Sequence, residues 1–412
     1  MKIDIDRVMH ELQTLATHSS CEQPPPAVTR VVYSNEDLTA RQYLRGLYED
    51  AGLSVRVDAV GNTFARWEGT DPAAAVVGTG SHCDAIPHSG MYDGTVGVIG
   101  GLEAIRALQA AGFAPTRGIE LLMITSEEPT RFGIGCIGSR AIAGAIDAEH
   151  LSAMTDDDGR TFDEVCRAAG FTGDISSARL DDSYYHRWVE LHIEQATVLE
   201  QTQTQIGVVT AIAAPATLRV RVDGVGGHAG GVMMGDRRDA LCGAAELVCE
   251  IERIANDLPS ENLVATVGTM RLHPSAINSI PSKVEFSIDL RDIDLDRRNQ
   301  AARSIHQSAE TIADRRQLTI DIETFHADPP AVCDRSIATA IEQSCQAMRV
   351  SHRRLISRAY HDSLFIDRIA PIGMIFIPCR GGISHRPEEY ASPEDLSAGI
   401  EVLARTLQNL SR

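Results

Sequence analysis

Five residues of this chain could hold divalent metal: His82, Asp93, Glu128, His192 and His385. The first two lie with Asp84 in one short stretch, Ser81 to Gly94, between an apolar run at 73–77 that reads as a buried strand and 96–108, which reads as a helix. Three imidazoles and two carboxylates suit Zn²⁺, Mn²⁺, Co²⁺ or Ni²⁺, and the lack of a thiolate argues against a structural zinc. Two ions about 3.5–4 Å apart need a bridging carboxylate, and Asp93 in its Gly-flanked turn is a candidate for that place. Asp84 could accept the second ring N–H of His82 and fix its tautomer. Glu127 and Glu128 close a second apolar run, 118–126. Successive side chains of an extended segment point opposite ways, so one acid can bind metal while the other takes the proton of a water. The reading takes Glu128 as ligand and Glu127 as general base, with Asp84 counted among the catalytic groups; spacing alone does not decide between the two glutamates. Taken singly, each candidate has an ordinary reading as a loop histidine or a strand-end acid. Their joint occurrence at predicted strand ends is what points to a metallohydrolase.

The elements that must position these residues alternate between apolar runs and amphipathic helices. Up to residue 195 the order is that of a mostly parallel α/β sheet, in which sites form beyond the carboxyl ends of strands. From 217 to 325 the pattern changes to β-α-β-β-α-β, the order of a ferredoxin-like unit. Apolar 372–378 then leads into His385, and Ser392-Pro393 opens a last helix as N-cap and first helical residue. The fold expected is therefore α/β with two domains: a discontinuous metal-binding domain, 1–210 and 329–412, and an inserted domain, 211–328.

Composition limits the partners. The chain has 412 residues, 43% hydrophobic and 23% charged, with a net charge of −19, which fits a soluble two-domain protein and argues against nucleic acid. No apolar stretch reaches the roughly 20 residues of a spanning helix, and the acidic amphipathic start does not read as a signal peptide. Nine cysteines without a CxxC pair suit reduced thiols in a cytoplasm.

At Gly80-Ser-His-Cys-Asp84, Tyr92-Asp-Gly94, Ser126-Glu-Glu128, Arg131-Phe-Gly133, Gly138-Ser-Arg140, His192-Ile-Glu-Gln195, Gly227-His-Ala-Gly230, Asn278-Ser-Ile-Pro281, Asp289-Leu-Arg291 and Gly382-Ile-Ser-His385 the chain resembles the metal-dependent amidohydrolases of the peptidase M20 superfamily, in the hydantoinase/carbamoylase branch. Several blocks look like the plant-type ureidoglycolate amidohydrolases: Thr125 to Gly133, His273 to Lys283, Ala359 to Leu364 and His385 to Tyr390. Ala196-Thr197 departs from the Gly-Pro common in the family. The resemblance implies two divalent ions, Mn²⁺ foremost, on His82, Asp93, Glu128, His192 and His385, with Asp93 bridging and Glu127 as base. It also implies a homodimer formed through the inserted domain, which doubles as a lid. His228, Asn278 and Arg291 of that domain, and Gln195, would contact a small ureido acid; His228 would come from the partner subunit and act in catalysis as well. Arg291 could pair bidentately with a substrate carboxylate, while His228 and Asn278 could stabilise an oxyanion. His361 and Asp362 are expected beside the site. The activity implied is cleavage of a ureido C–N bond, of ureidoglycolate first, with N-carbamoyl-L-amino acids or allantoate as alternatives.

Overall fold

A computed structural model describes the whole chain, Met1–Arg412, and it divides into two compact units. The first comprises Met1–Thr210, Val332–Ser357 and His361–Arg412, and the second Ala211–Ala331 with Arg358–Tyr360.

The sheet of the first unit is parallel at its centre. Strands Ile372–Ile377, Tyr185–Ile193, Val76–His82 and Ile119–Ile124 pair in that order, all in the same direction. Ile119–Ile124 and Ile372–Ile377 are buried at every position, so neither alternates; Glu120, the one charged residue in them, accepts from Tyr185 and Arg66. The flanks are antiparallel: the hairpin of Ser54–Val57 and Thr63–Trp67 on one side and Ile206–Ile212 on the other. His352–Ser357 pairs with Ile206–Ile212. Neither of these last two strands is evident from sequence, because each adjoins a linker and pairs with residues distant in the chain.

The strand expected at 73–77 instead spans Val76–His82, which makes His82 its last residue. Past the apolar run, Ser81 is accommodated inside because its hydroxyl donates to Glu190 Oε1 at 2.8 Å. The helix Thr95–Ala110 is buried on almost every side and so lacks an amphipathic stripe. It lies against the strands ending in His82, Ile124 and Ile193 and against helix Pro393–Leu410, which also packs on Arg335–Met348. Ser392 caps Pro393–Leu410 by accepting the Asp395 N–H, with Pro393 at the first helical position.

The second unit has its own apolar core. Its strands lie in the order Val264–His273, Lys283–Asp292, Ala214–Asp223, Thr319–Ala327, antiparallel throughout. Helices Ala240–Asp257 and Leu295–Arg316 pack on each other and on the sheet. The chain order and strand order are those of a ferredoxin-like unit. Alternate residues of Lys283–Asp292 are buried, as one covered face requires.

Candidate metal centre

The carboxyl ends of three parallel strands bring His82, Glu127, Glu128 and His192 together, and two loops add Asp93 and His385. Asp93 faces both ways. Its Oδ1 lies 3.1 Å from His192 Nε2 and 3.8 Å from His82 Nε2. Its Oδ2 lies 3.1 Å from His385 Nε2, which is in turn 3.5 Å from Glu128 Oε1. Two ligand groups thus share one carboxylate: His82, Asp93 and His192, and Asp93, Glu128 and His385. Glu127 Oε2 sits 3.7 Å from His82 Nε2, on the rim of the first group.

The backbone fixes which ring nitrogens face inward. His82 Nδ1 lies 3.0 Å from the Asp84 carbonyl and His192 Nδ1 2.9 Å from the Ile193 carbonyl, so each Nδ1–H donates outward and each Nε2 is the ring nitrogen turned to Asp93. Gly94 has φ +66°, and a Cβ there would stand 2.4 Å from His82 Nε2, so the turn after Asp93 leaves the imidazole room only as glycine. His385 also has a positive φ, +59°, in the loop after Ile372–Ile377, and its side chain is half exposed.

Asp84 differs from expectation. It is the Asp84 backbone carbonyl that receives the His82 ring N–H; the carboxylate is turned to the neighbouring strand end, where Oδ1 accepts the Glu127 N–H at 3.2 Å and Oδ2 the Glu128 N–H at 3.0 Å. Asp84 Oδ1 stands 3.7 Å from His82 Nδ1, beyond hydrogen-bond distance, while the backbone carbonyl takes the nearer place. Its contact with the site is therefore positional. Gln195, in left-handed backbone at φ +54°, donates its amide to Asp93 Oδ2 at 3.1 Å and to Ser384 Oγ at 2.9 Å.

Burial and crowding set the electrostatics. Burial pushes Asp93 up, but hydrogen bonds from His192 and His385 outweigh it and hold the carboxyl well below its usual range. Burial lowers His192, yet the Asp93 carboxylate raises it to about 9. His385 is raised to about 9, first by its hydrogen bond to Asp93. His82, farther from Asp93, is lowered to about 4 by burial. Glu127 and Glu128 are both raised well above the ordinary range by burial, then by Glu128 and Asp93 respectively. So many acids around so few cations is an arrangement that a divalent ion stabilises. Glu128 Oε1 adds a second sign: it is buried without a hydrogen-bond donor. The donor set, N and O only, fits divalent metal.

Two further carboxylates, absent from the expected set, support the site. Glu389 binds the backbone of Tyr92 and Asp93 from near the far end of the chain. Glu190, two residues before His192 on the same strand face, accepts the hydroxyls of Ser81 and Ser363, and its period-two spacing was the one available clue. Behind His192, the His361 ring packs edge-on at 4.5 Å between centroids, with Nε2 at 2.9 Å from Ser357 Oγ. Asp362 Oδ1 accepts the Ser139 hydroxyl at 2.5 Å.

In the second unit, His228 and Asn278 belong to one small ladder: Gly227–His228 pairs with Ser279–Ile280, and the Ala229 N–H donates to the Asn278 carbonyl at 2.9 Å. Arg291 is not a free fork. Its Nε and one Nη engage the Asp289 carboxylate at 2.8 and 2.9 Å, and its other Nη donates to the Arg358 carbonyl. The two residues are i and i+2 on one strand face, where they meet without rearrangement.

An inserted ferredoxin-like unit and a histidine–carboxylate cluster at the ends of parallel strands define a metallohydrolase of the two-domain kind, and residues 52–409 match the peptidase family M20/M25/M40, to which the chain belongs. Among its relatives, the chain is 48% identical to a ureidoglycolate hydrolase of Oryza sativa subsp. japonica, over 99% of this chain and 85% of that one. It is 36% identical to an N-carbamoyl-L-amino-acid amidohydrolase of Paenarthrobacter aurescens, over 100% and 99%. The crystal structure of AtUAH in complex with glyoxylate superposes with a TM-score of 0.89 at 47% identity, covering 100% of this chain and 98% of that one. A second structure of AtUAH holds (S)-hydroxyglycine.

Proposed function

We propose that this protein is a two-metal amidohydrolase that cleaves the ureido C–N bond of ureidoglycolate. The observation that carries the two-metal part is the division of the Asp93 carboxylate, with one oxygen toward His82 and His192 and the other toward His385 beside Glu128. Asp93 would bridge, and the four remaining residues would hold one ion or the other. Divalent ions so held lower the pKa of water and polarise a carbonyl oxygen.

This chain's own groups do the rest. Glu127, raised by burial among acids, takes the proton of the attacking water on its carboxylate and returns it to the leaving nitrogen. Asp84 keeps both glutamates aimed by holding their backbone N–H groups. Gln195 offers its amide beside Asp93. From the second unit the reading takes His228 and Asn278 as oxyanion donors and Arg291 as the cation for a substrate carboxylate, exchanging Asp289 for it. The C–N bond to the terminal amine breaks and ammonia leaves. The carbamic acid then loses CO₂ to give hydroxyglycine, a hemiaminal that loses a second ammonia to give glyoxylate. The ligands named in the two AtUAH structures are these last two species, which supports ureidoglycolate as substrate.

The same residues would serve an N-carbamoyl-L-amino acid; the higher identity to the ureidoglycolate hydrolases favours the first substrate. The reading includes a homodimer through the second unit, supported by its exposed Met233, Met234 and Ile277, and a cytoplasmic setting, supported by nine unpaired cysteines. No helix is long and apolar enough to cross a membrane.

The test is product stoichiometry. Protein loaded with Mn²⁺ should release two ammonia for each glyoxylate from ureidoglycolate. Glu127→Gln should bind Mn²⁺ as tightly and lose nearly all turnover. Absence of ammonia overturns the substrate, and normal turnover by the variant overturns the base.

A further inference from the structure

The loop after Ile372–Ile377 and the turn at Asp93 are brought together from opposite ends of the first unit. Glu389, 1% exposed, joins them. Its Oε1 accepts the backbone N–H groups of Tyr92 at 2.8 Å and Asp93 at 3.0 Å. Its Oε2 accepts the hydroxyl of Ser384, next to His385, at 2.8 Å. Both oxygens of a buried carboxylate are thereby satisfied, and the two segments they hold carry the bridging acid and its histidine partner.

The surroundings are shaped for this carboxylate. A Cβ on Gly90 would lie 2.4 Å from Glu389 Cβ and 2.5 Å from Oε1, so the Asp93 segment approaches Glu389 at glycine distance. The loop is closed on itself by the Arg380 N–H to the Tyr390 carbonyl and the Glu389 N–H to the Arg386 carbonyl. Tyr390 meets Tyr92 edge-on at 6.0 Å between centroids. Apart from Glu389, the docked loop reaches Asp93 through His385 and weakly through Ser384 Oγ at 3.4 Å. Glu389 is the one group that binds the backbone of the Asp93 turn and the His385 loop at once.

We propose that Glu389 is a positioning residue that clamps the Asp93 turn to the His385 loop and so sets the geometry of the metal position formed by Asp93 Oδ2, Glu128 and His385. This rests on the two-metal reading above. The clamp works by shape: an amide in the same place can still accept the two N–H groups and donate to Ser384 Oγ. A group that orients ligands without touching metal is worth about 10- to 100-fold in affinity.

The experiment is titration of the full-length, ion-free protein with Mn²⁺, counting bound ions by the loss of the free-ion paramagnetic resonance signal, alongside thermal unfolding of each ion-free protein. Wild type should take up two ions. Glu389→Ala should keep one near wild-type affinity and bind the other about 10- to 100-fold more weakly, while Glu389→Gln restores it to within a few-fold. If Glu389→Ala does not fold, Glu389→Asp, which retracts the carboxylate by one methylene, should weaken the same ion. Wild-type binding of both ions by Glu389→Ala, or by Glu389→Asp in its stead, overturns the clamp, as does Glu389→Gln failing as badly as Glu389→Ala. Fewer than two ions on wild type overturns the two-metal reading itself, and the clamp with it.

Discussion

Asp93 places one oxygen 3.1 Å from His192 and the other 3.1 Å from His385, and this division couples the proton chemistry of the cluster. In the ion-free protein His192 and His385, both raised to about 9, hold protons against Asp93, while His82, at about 4, does not. A histidine whose folded pKa is raised stabilises the fold fully below its unfolded value, near 6.5, and loses that contribution as pH climbs through 9. The raised Glu127 and Glu128 act in the same direction. A metal ion must displace these protons. Ion-free protein should therefore melt at progressively lower temperature from about pH 6.5 to 9, while Mn²⁺ affinity rises over the same window. Calorimetry in chelator and Mn²⁺ titration across pH check this; a pH-independent affinity would contradict it.

Elements carry the residues to one place, and two strand ends do it through Asp84. Its carboxylate holds the N–H groups of Glu127 and Glu128 from the adjacent strand. Asp84→Asn keeps one acceptor and puts an amide N–H against a backbone N–H, so kcat should fall about 10- to 100-fold with the protein still folded; an unchanged kcat would show that the strand ends need no such tie. Much of this level was legible in sequence. Largely apolar runs without alternation marked Ile119–Ile124 and Ile372–Ile377, and Ser392-Pro393 marked a helix start. What was not legible depends on partners far away in the chain. Asp84 in a short stretch with His82 suggests a pair, whereas its partners are backbone groups on another strand. Glu389 stands in a plain Glu-Glu pair, with nothing nearby to show that it binds Tyr92 and Asp93. The fork of Arg291 is taken by Asp289 two residues away, a contact that alternation along a strand permits but does not announce.

At the scale of the molecule, the division of labour follows from chemistry. A chain with a net charge of −19 repels an anionic substrate over most of its surface, so recognition requires cations gathered at one point. In the proposed reading the two ions and Arg291 are that point, and the carboxylate of a ureido acid is what they select. On that reading the parallel sheet of the first unit would supply the ligands, and the second unit, which has a core of its own, would supply the residues that read the substrate. Substrate choice within the amidohydrolases then depends on side chains, since the ligand set does not distinguish a ureidoglycolate from an N-carbamoyl amino acid. The most direct measurement is kcat/KM for ammonia release by the Mn²⁺-loaded protein on ureidoglycolate, allantoate, N-carbamoyl-β-alanine and several N-carbamoyl-L-amino acids. Ureidoglycolate should exceed every other substrate by at least about tenfold, or about 1.4 kcal/mol in transition-state binding; a higher value for any N-carbamoyl-L-amino acid would contradict the account.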